Sequence, residues 1–593
     1  MSRRRPGALV ALLTAALLLA PAGRAAADPA RDLARLCDDY WQGWLRAHPM
    51  DATTIGDRRY DDRLEDISPA GVTRERQRLE AVVARARAIP ERALANRDRL
   101  TRAALILEAQ KHVDEILCGL GDWMVDPSAG PQVDFMGLAD YTVIATPADA
   151  DHYVARARAM GPYVDQHIAN LRAGLAAGKV ANRIAVEKTL EDLDSLLAHP
   201  AADWPLVVPA RELRPTWSAA EHDRFFERLT VATRETVIPA FGRYRDFLRA
   251  QILPAARPPE RAGMSFLPGG TEAYRRLIHT QTSLVRTPEE LHALGLEEVA
   301  RVRAELSTLG GTVLGTTDVA EIQRRLRTDP AMQFSTSAEV ENKARATLAR
   351  AKAAIPGYFG LLPRADCQVK VISAFEAPHT TIAYYREPAA DGSRPGYYMI
   401  NSYAPTTRPR YEAEALAFHE SIPGHHLQIA IAQELTGLPE FRRHQGVTAF
   451  VEGWGLYSER LADEMGLYSG GLDRIGLLSF DAWRACRLVV DTGLHALGWS
   501  RQQAIDYMMA NTVLAENNVV NEVDRYLGDP GQALAYKLGQ LEILALRDEA
   551  RAKLGDRFDL KRFHDAVLEN GAVALPVLRE RIEAWIASEG GTP

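Results

Sequence analysis

Residues 418–428, FHESIPGHHLQ, combine two kinds of metal-binding side chain in a short segment. His419 stands beside Glu420, and His425 and His426 follow within two helical turns. Imidazole and carboxylate groups are the ligands that hold zinc and activate water in metallohydrolases. The segment therefore predicts a zinc site that carries out metal-assisted hydrolysis.

The spacing of these histidines differs from the familiar HExxH motif, in which two histidines four residues apart share one helix face. Position i+4 from His419 is Pro423, and the next histidine is at i+6. Proline removes a backbone donor and Gly424 relieves the backbone, so we expect the helix to bulge or break. A bulge of two residues would return His425 to the side of His419, whereas His426 would lie about 10 Å further along the axis. We expect His425 to bind the metal and His426 to support a ligand or contact the substrate.

A third ligand is expected downstream, in residues 450–460, FVEGWGLYSER. Glu452 and Glu459 are seven residues apart and share one face of a predicted helix. Gly453 and Gly455 are poor helix formers, which suggests that another backbone packs closely there. We assign Glu452 to the metal and expect Glu459 to orient a ligating histidine through its far nitrogen.

A polar cluster at residues 525–537, RYLGDPGQALAYK, supplies candidates for stabilising the reaction. The turn signal DPG separates two pairs of side chains. They are Arg525, Tyr526, Tyr536 and Lys537. A tyrosine hydroxyl or a cation could stabilise the oxyanion of amide hydrolysis. Alternatively, Arg525 and Lys537 could bind a substrate carboxylate. His495 is a weaker candidate for the same cleft.

The amino terminus has the composition of an export signal. Three arginines at positions 3–5 precede an apolar run from Ala8 to Ala20, and three alanines precede Asp28. This pattern is typical of a cleaved secretory signal over residues 1–27, and the run is too short to span a bilayer. We therefore expect an exported protein, periplasmic or extracellular. Because no cysteine lies near the cleavage point, we expect no lipid anchor there.

The charge balance excludes some classes of partner. Without residues 1–27 the chain has 67 basic and 78 acidic side chains and a net charge of −11. This balance argues against nucleic acid or an anionic membrane as partner. No later segment is apolar over the length that a membrane span needs. The expected partner is a peptide substrate, and the oligomeric state stays open.

The four cysteines fit no metal-ligand spacing. They are Cys37, Cys118, Cys367 and Cys486. Export would permit one or two disulfides, but the sequence cannot select a pairing. We expect buried free thiols.

The chain up to about residue 364 has the pattern of successive helices. Apolar residues between Leu33 and Trp44 recur at helical spacing before Pro49. Thr287 and Glu290 form a predicted capping box, with proline at the first helical position. These helices are interpreted as scaffold.

The pattern changes to three short strands before the histidine segment. Residues 368–374, 381–386 and 396–402 are rich in Val, Ile, Thr and Tyr and are separated by Pro and Gly. The edge of such a sheet could bind an extended peptide through backbone hydrogen bonds, with Tyr398 and Asn401 lining it. A purely structural sheet is the alternative.

The predicted fold is mainly α, a large helical body with a small β-sheet next to the metal-binding helix. The predicted organisation is a signal peptide, a helical scaffold lobe over residues 28–364 and a catalytic region over residues 365–593. Residues 28–593 could also form one continuous domain.

Several motifs, in this order, resemble domain-of-unknown-function family 885, which is placed among the zincin-type metallopeptidases. The resemblance rests on residues 419–426, 452–457, 530–537 and 563–565, with earlier marks at 49–62 and 267–274. It covers nearly the whole chain after the signal and implies a zincin-type fold with the sheet beside the site. It implies His419, His425 and Glu452 at the zinc. It also implies Glu420 as the base, and it leaves the substrate open.

The sequence as a whole predicts a secreted or periplasmic zinc peptidase. Glu420 would take a proton from the attacking water and pass it to the leaving amine. Tyr526 or Tyr536, with Arg525 or Lys537, would stabilise the oxyanion. One alternative is a zinc hydrolase of a non-peptide amide or ester. Another is a secreted binding protein with structural zinc, although such sites are normally closed by four protein ligands.

Overall fold

The computed structural model describes residues 28–372, 377, 381–388, 392 and 394–590. The predicted export signal and the predicted end of the first strand at Ala374 lie outside these residues. The described chain is mainly helical and contains a three-stranded sheet, which confirms the coarse fold class. The zincin-type arrangement and the boundary near residue 364 stay predictions. In the described part of the chain, no helix has both the length and the apolar character needed to cross a membrane.

The helices before the sheet begin and end largely where local signals predict. Asp28 caps the first helix by accepting from the backbone of Ala30 and Arg31, and that helix ends just before Pro49. Thr287 and Glu290 form the predicted capping box. The helices are α1 Pro29–Ala47, α2 Pro49–Thr54, α3 Pro69–Ala88, α4 Asn96–Cys118, α5 Pro131–Tyr141, α6 Pro147–Ala176, α7 Arg183–Leu197, α8 Ala219–Ala232, α9 Ile238–Phe247, α10 Leu253–Ala255, α11 Gly270–Thr282, α12 Pro288–Val313, α13 Val319–Thr328 and α14 Ser337–Ala354.

The sheet and the remaining helices carry the predicted chemical groups. The strands are β1 Cys367–Val371, β2 Ala383–Arg386 and β3 Gly396–Ile400. The helices are α15 Ala413–Glu420, α16 His425–Glu434, α17 Glu440–His444, α18 Thr448–Glu464, α19 Gly471–His495, α20 Arg501–Asn511, α21 Glu516–Gly528, α22 Gln532–Leu554, α23 Leu560–Leu568 and α24 Leu575–Gly590.

The strand order corrects one expectation. The order is β1-β3-β2, with β1 parallel and β2 antiparallel to β3. Tyr398 therefore lies on the middle strand and is 2% exposed, and Asn401 is 1% exposed. The Asn401 amide donates to the Ala377 carbonyl at 2.7 Å. The prediction that these two residues line the sheet edge is wrong, because the edges of the sheet are β1 and β2.

One hydrophobic core joins the sheet to the helices that follow it. Apolar residues of β1, β2 and β3 pack with those of α15, α16, α18 and α22 to α24. A separate core lies among α5 to α9. All four cysteines are buried and free, as predicted.

Helices α18 and α22 cross with their backbones in contact. A Cβ added to Gly453 would lie 2.4 Å from the Cα of Gly539, and one added to Gly539 would lie 1.8 Å from the Ala449 carbonyl oxygen. Only glycine fits at such separations, so the predicted close approach of a backbone is confirmed at Gly453. This crossing fixes the position of Glu452 relative to Tyr536, because the first lies on α18 and the second on α22.

Replacement of Gly539 by alanine should separate the two helices. We expect Gly539→Ala to lower the free energy of unfolding by about 1–3 kcal/mol, the usual cost of overpacking. Gly242→Ala in α9 is the matched control: outside its own helix, none of the described atoms lies within 4 Å of the added Cβ. Alanine should be neutral there or stabilise the helix by about 0.5–1 kcal/mol. Chemical denaturation measures both, and equal stability of the two variants would contradict the interpretation.

Candidate metal centre

The segment around Pro423 breaks the helix. Helix α15 ends at Glu420 and α16 begins at His425, and the Ile422–Pro423 peptide bond between them is cis. The Trp454 indole donates to the Pro423 carbonyl at 2.9 Å. A Cβ on Gly424 would lie 1.9 Å from the His419 carbonyl oxygen, so only glycine fits in this turn. The break returns His425 to the side of His419, with ring centres 4.7 Å apart.

Two imidazoles and a carboxylate converge at this point. The Glu452 Oε2 atom lies 3.5 Å from Nε2 of His419 and 3.5 Å from Nε2 of His425. Two ligands of a tetrahedral zinc ion are about 3.3–3.4 Å apart when their bonds are about 2.0–2.1 Å long. Glu420 also faces the site, since ligand atoms of His419, Glu420 and His425 lie within 4.8 Å of one another. The donor set therefore fits zinc, with Glu452 placed symmetrically between the imidazoles.

One face of α18 holds the His419 ring. Glu452, Gly455 and Glu459 recur at positions i, i+3 and i+7 and so share that face. Glu459 Oε1 lies 2.8 Å from His419 Nδ1, the predicted contact with the far nitrogen. When Nδ1 donates to Glu459, Nε2 presents its lone pair to a metal. A Cβ on Gly455 would lie 2.8 Å from Nε2, so its close neighbour is this imidazole and not the expected backbone.

The electrostatics of the site stabilise a positive charge. Burial lowers the pKa of His419, but hydrogen bonds to Glu452 and Glu459 outweigh burial and raise that pKa to about 9. Burial raises the pKa of Glu452, yet His425 and His419 hold it well below its ordinary range. Without a metal, the raised pKa favours a protonated His419 imidazole between Glu452 and Glu459. A divalent cation would compete with the proton on Nε2 of this ring.

His426 points elsewhere. Its Nδ1 lies 3.0 Å from the Tyr385 hydroxyl on β2, and its Nε2 lies 3.1 Å from the Ala365 carbonyl oxygen. Burial lowers the pKa of His426 to about 4, so the ring is neutral. Both ring nitrogens are engaged away from Glu452, which favours His425 as the ligand.

The two candidate tyrosines occupy different positions. The Tyr536 ring stacks on His419 at 6.3 Å with an interplanar angle of 20°, and it is half-buried. Burial and the Glu452 charge raise the pKa of Tyr536, which keeps its hydroxyl protonated. Tyr526 is fully buried, and its hydroxyl accepts from Trp483 Nε1 at 3.1 Å and from Arg487 Nε at 3.0 Å. Of these two tyrosines, Tyr536 is the one whose ring stacks on His419.

The candidate cations are also separated. Lys537 has no exposed surface and forms an ion pair with Asp481, which also pairs with Arg460. Arg525 donates to Glu522 at 3.1 Å and keeps 31% of its side chain exposed. The Lys537 ammonium group is therefore buried and paired, whereas part of the Arg525 side chain is exposed to solvent.

His495 is a buried structural group. It is 1% exposed, its Nδ1 accepts from the backbone of Met264 at 3.2 Å, and its Nε2 lies 3.0 Å from the Tyr526 carbonyl oxygen. The two ring nitrogens therefore link the backbone at Met264 to the backbone at Tyr526.

Two arginines of α19 also lie at the site, although no motif in the sequence marks them. The Cζ of Arg487 lies 4.3 Å from the centre of the Tyr536 ring, and that of Arg484 lies 5.9 Å from it. Both occur in a helix that is otherwise largely apolar between Ile475 and His495. Buried charge in an apolar helix was the available signal, because such residues are rarely buried without a partner.

The chain is similar to a bacterial protein family and to two solved structures. A family model for bacterial proteins of unknown function (DUF885) matches residues 49–582. A crystal structure from Colwellia psychrerythraea, named as a candidate lipoprotein, is 28% identical, has a TM-score of 0.88 and covers 95% of this chain and 100% of its own. Another solved structure, named as a candidate lipoprotein of unknown function from Shewanella oneidensis, is 19% identical and has a TM-score of 0.72. It covers 94% of this chain and 99% of its own. None of the curated proteins matches this chain.

The adjacent histidines give a test of the ligand set. We expect the purified protein to bind one equivalent of zinc, and His425→Ala to lose most of it, because one of three converging donors is removed. His426→Ala is the matched control and should retain zinc, since its nitrogens bond to Tyr385 and Ala365. Zinc per folded protein, measured by mass spectrometry after dialysis, separates the two variants. Loss of zinc from His426→Ala alone would reverse the assignment.

Proposed function

Because the family model matches residues 49–582, the chain belongs to the DUF885 family of bacterial proteins of unknown function, and we propose that it is an exported zinc-dependent peptidase. The observation that supports this proposal is the convergence of His419, His425 and Glu452, with Glu420 left beside them. Three protein ligands leave a coordination position open, as catalytic zinc sites do. The signal-like residues 1–27 and the candidate lipoprotein from Colwellia support export to the periplasm or the cell exterior.

Glu420 is the proposed general base. It is half-buried, and no hydrogen bond joins its carboxylate to another of the described residues. When bound, zinc would polarise a carbonyl group and lower the pKa of water toward neutrality. The Glu420 carboxylate takes a proton from the attacking water as the water oxygen bonds to the carbonyl carbon. It then gives that proton to the amine nitrogen as the C–N bond breaks.

Tyr536 is the proposed oxyanion donor. Its ring stacks on His419, and its hydroxyl, which accepts from Gln532 Nε2 at 3.4 Å, is close enough to Glu452 for that charge to raise its pKa. We assign this hydroxyl to the oxygen that gains negative charge. A preorganised donor at that place stabilises the transition state more than the ground state. Tyr526 and Arg525 act indirectly in this proposal. The Tyr526 hydroxyl accepts from Arg487, and the guanidinium group of Arg487 lies over the Tyr536 ring. Arg525 donates to Glu522.

In this proposal an extended substrate lies along β2, an edge strand of the described sheet. The Tyr385 hydroxyl on β2 lies 3.0 Å from Nδ1 of His426, so this strand runs beside the first turn of α16, which also carries His425. Backbone pairing with an edge strand holds a peptide without requiring a particular side chain. This arrangement favours peptides over other amides and esters as substrates.

Digestion of a peptide pool tests the proposal. We expect the zinc-loaded protein to cleave peptides, a chelator to abolish cleavage and added zinc to restore it. Mass spectrometry of the products reports both activity and the position of the cut. Turnover of simple esters or non-peptide amides with an untouched peptide pool would favour the alternative hydrolase.

Glu420→Gln should keep zinc and lose nearly all turnover, because the amide cannot accept the proton. General-base removal typically costs ~10²–10⁴-fold in rate. Glu440→Gln is the control, since Glu440 on α17 is half exposed and pairs with Arg443 and His444. Undiminished turnover by Glu420→Gln would exclude this role for Glu420.

Tyr536→Phe should lower kcat by ~10²–10³-fold with little change in KM, the usual loss for one oxyanion donor. Tyr526→Phe removes a buried hydroxyl and should mainly lower the free energy of unfolding, by about 1–3 kcal/mol. Steady-state kinetics and thermal melts of both variants measure these effects. A larger loss of kcat in Tyr526→Phe than in Tyr536→Phe would show that the two roles are exchanged.

A further inference from the structure

Two arginines of α19 are buried beside the proposed catalytic groups. Arg484 is 5% exposed and Arg487 is 3% exposed. Both guanidinium groups lie over the Tyr536 ring, at 5.9 and 4.3 Å, and that ring lies 6.3 Å from His419. Positive charge is therefore concentrated next to the metal ligands, on the side of Tyr536.

These guanidinium groups have donors without partners. Arg484 Nε and Nη1 are buried and form no hydrogen bond to any described residue. Arg487 donates from Nε to the Tyr526 hydroxyl at 3.0 Å and from Nη2 to Glu522 at 2.9 Å. Its Nη1 is also buried and has no hydrogen-bond partner among the described residues. Buried N–H groups without acceptors are rare in folded proteins, and each calls for an explanation.

The neighbouring residues of the chain do not supply the missing acceptor. The rings of Trp483 and Phe480 lie 4.1 and 4.4 Å from Arg484 Cζ and stabilise its charge. A ring face, however, does not accept the in-plane N–H groups at the guanidinium edge. Glu459 interacts with Arg484 electrostatically, but no described carboxylate oxygen lies within 4.0 Å of an Arg484 guanidinium nitrogen.

We propose that Arg484 and Arg487 bind the terminal carboxylate of the substrate, so that the protein acts at or near the carboxyl end of short peptides. This inference rests on the proposed peptidase function and specifies its substrate class. The planar fork of arginine matches a carboxylate in a bidentate manner. Arg487 is oriented before the substrate arrives, because Tyr526 and Glu522 fix two of its nitrogens.

The position of this subsite limits where the peptide is cut. The guanidinium groups are separated from His419 by a single tyrosine ring. An extended peptide advances about 3.3–3.6 Å per residue. On this spacing, one or two residues would separate a carboxylate bound by the arginines from the bond beside the metal ligands. Release of one or two residues from the carboxyl end is the expected mode of cleavage.

Matched peptide pairs test the proposal. Each pair consists of one unblocked tripeptide as the free acid and as the carboxyl-terminal amide. Charge-assisted hydrogen bonds support a preference for the acid of at least ~10-fold in kcat/KM. Arg484→Met and Arg487→Met should reduce the acid-to-amide ratio by at least ~10-fold. Arg484→Lys should give an intermediate ratio, because lysine keeps the charge but not the fork.

The ratio is insensitive to partial unfolding, since both peptides are measured on the same preparation. Arg474→Met is the control, because Arg474 is also on α19 but is half exposed and pairs with Asp463. Arg474→Met should show the same acid-to-amide ratio of kcat/KM as the unmodified protein. A ratio near one in the unmodified protein, or an unchanged ratio in both Arg484→Met and Arg487→Met, would overturn the proposal.

Binding to the zinc-loaded Glu420→Gln variant separates this proposal from the peptidase proposal. Calorimetry with the same pairs should show tighter binding of the acid, and adding Arg484→Met should remove the difference. That result supports the subsite even when no peptide is hydrolysed. Equal binding of acid and amide, or binding of neither, counts against the subsite. It would leave the peptidase proposal standing if the peptide pool is digested.

Discussion

The contact between the His419 imidazole and one face of α18 is the interaction on which the candidate site depends. Glu452 and Glu459 approach opposite nitrogens of the ring, and Gly455 between them lets the ring lie against the helix. A helix places positions i, i+3 and i+7 on one face, so a single helix supplies a ligand, a space and an orienting carboxylate. The break at Pro423 then adds the second imidazole. The remaining features of the site are arranged around this contact.

Much of this site follows from the sequence because its rules are local. Helical spacing places Glu452 and Glu459 together, and the chemistry of Pro423 and Gly424 interrupts the helix so that His425 returns to His419. Capping at Thr287 and the three short strands follow from similarly local signals. Ligand chemistry predicts that α15 and α18 converge, since a catalytic zinc site requires a third protein donor.

The rest depends on packing between distant segments, which spacing does not encode. Lys537 resembles a surface cation in sequence, but Asp481, 56 residues earlier, holds it inside the protein. The strand pattern predicts Tyr398 at a sheet edge, whereas the strand order places it in the middle. Arg484 and Arg487 are candidates for the site only because the fold places α19 beside Tyr536. In each case the partner of a charged or polar group determines its role, and the partner is remote in the chain.

The direct contact of α18 with α22 has a dynamic consequence. Where side chains separate two helices, rotamer changes allow one helix to slide relative to the other. At Gly453 and Gly539 no such layer exists, so thermal motion should carry both helices together. The gap between the carboxylate of Glu452 and the hydroxyl of Tyr536 should then fluctuate less than the gap from either group to the sheet. Changes in the width of the candidate site should therefore arise between these two helices and the strands.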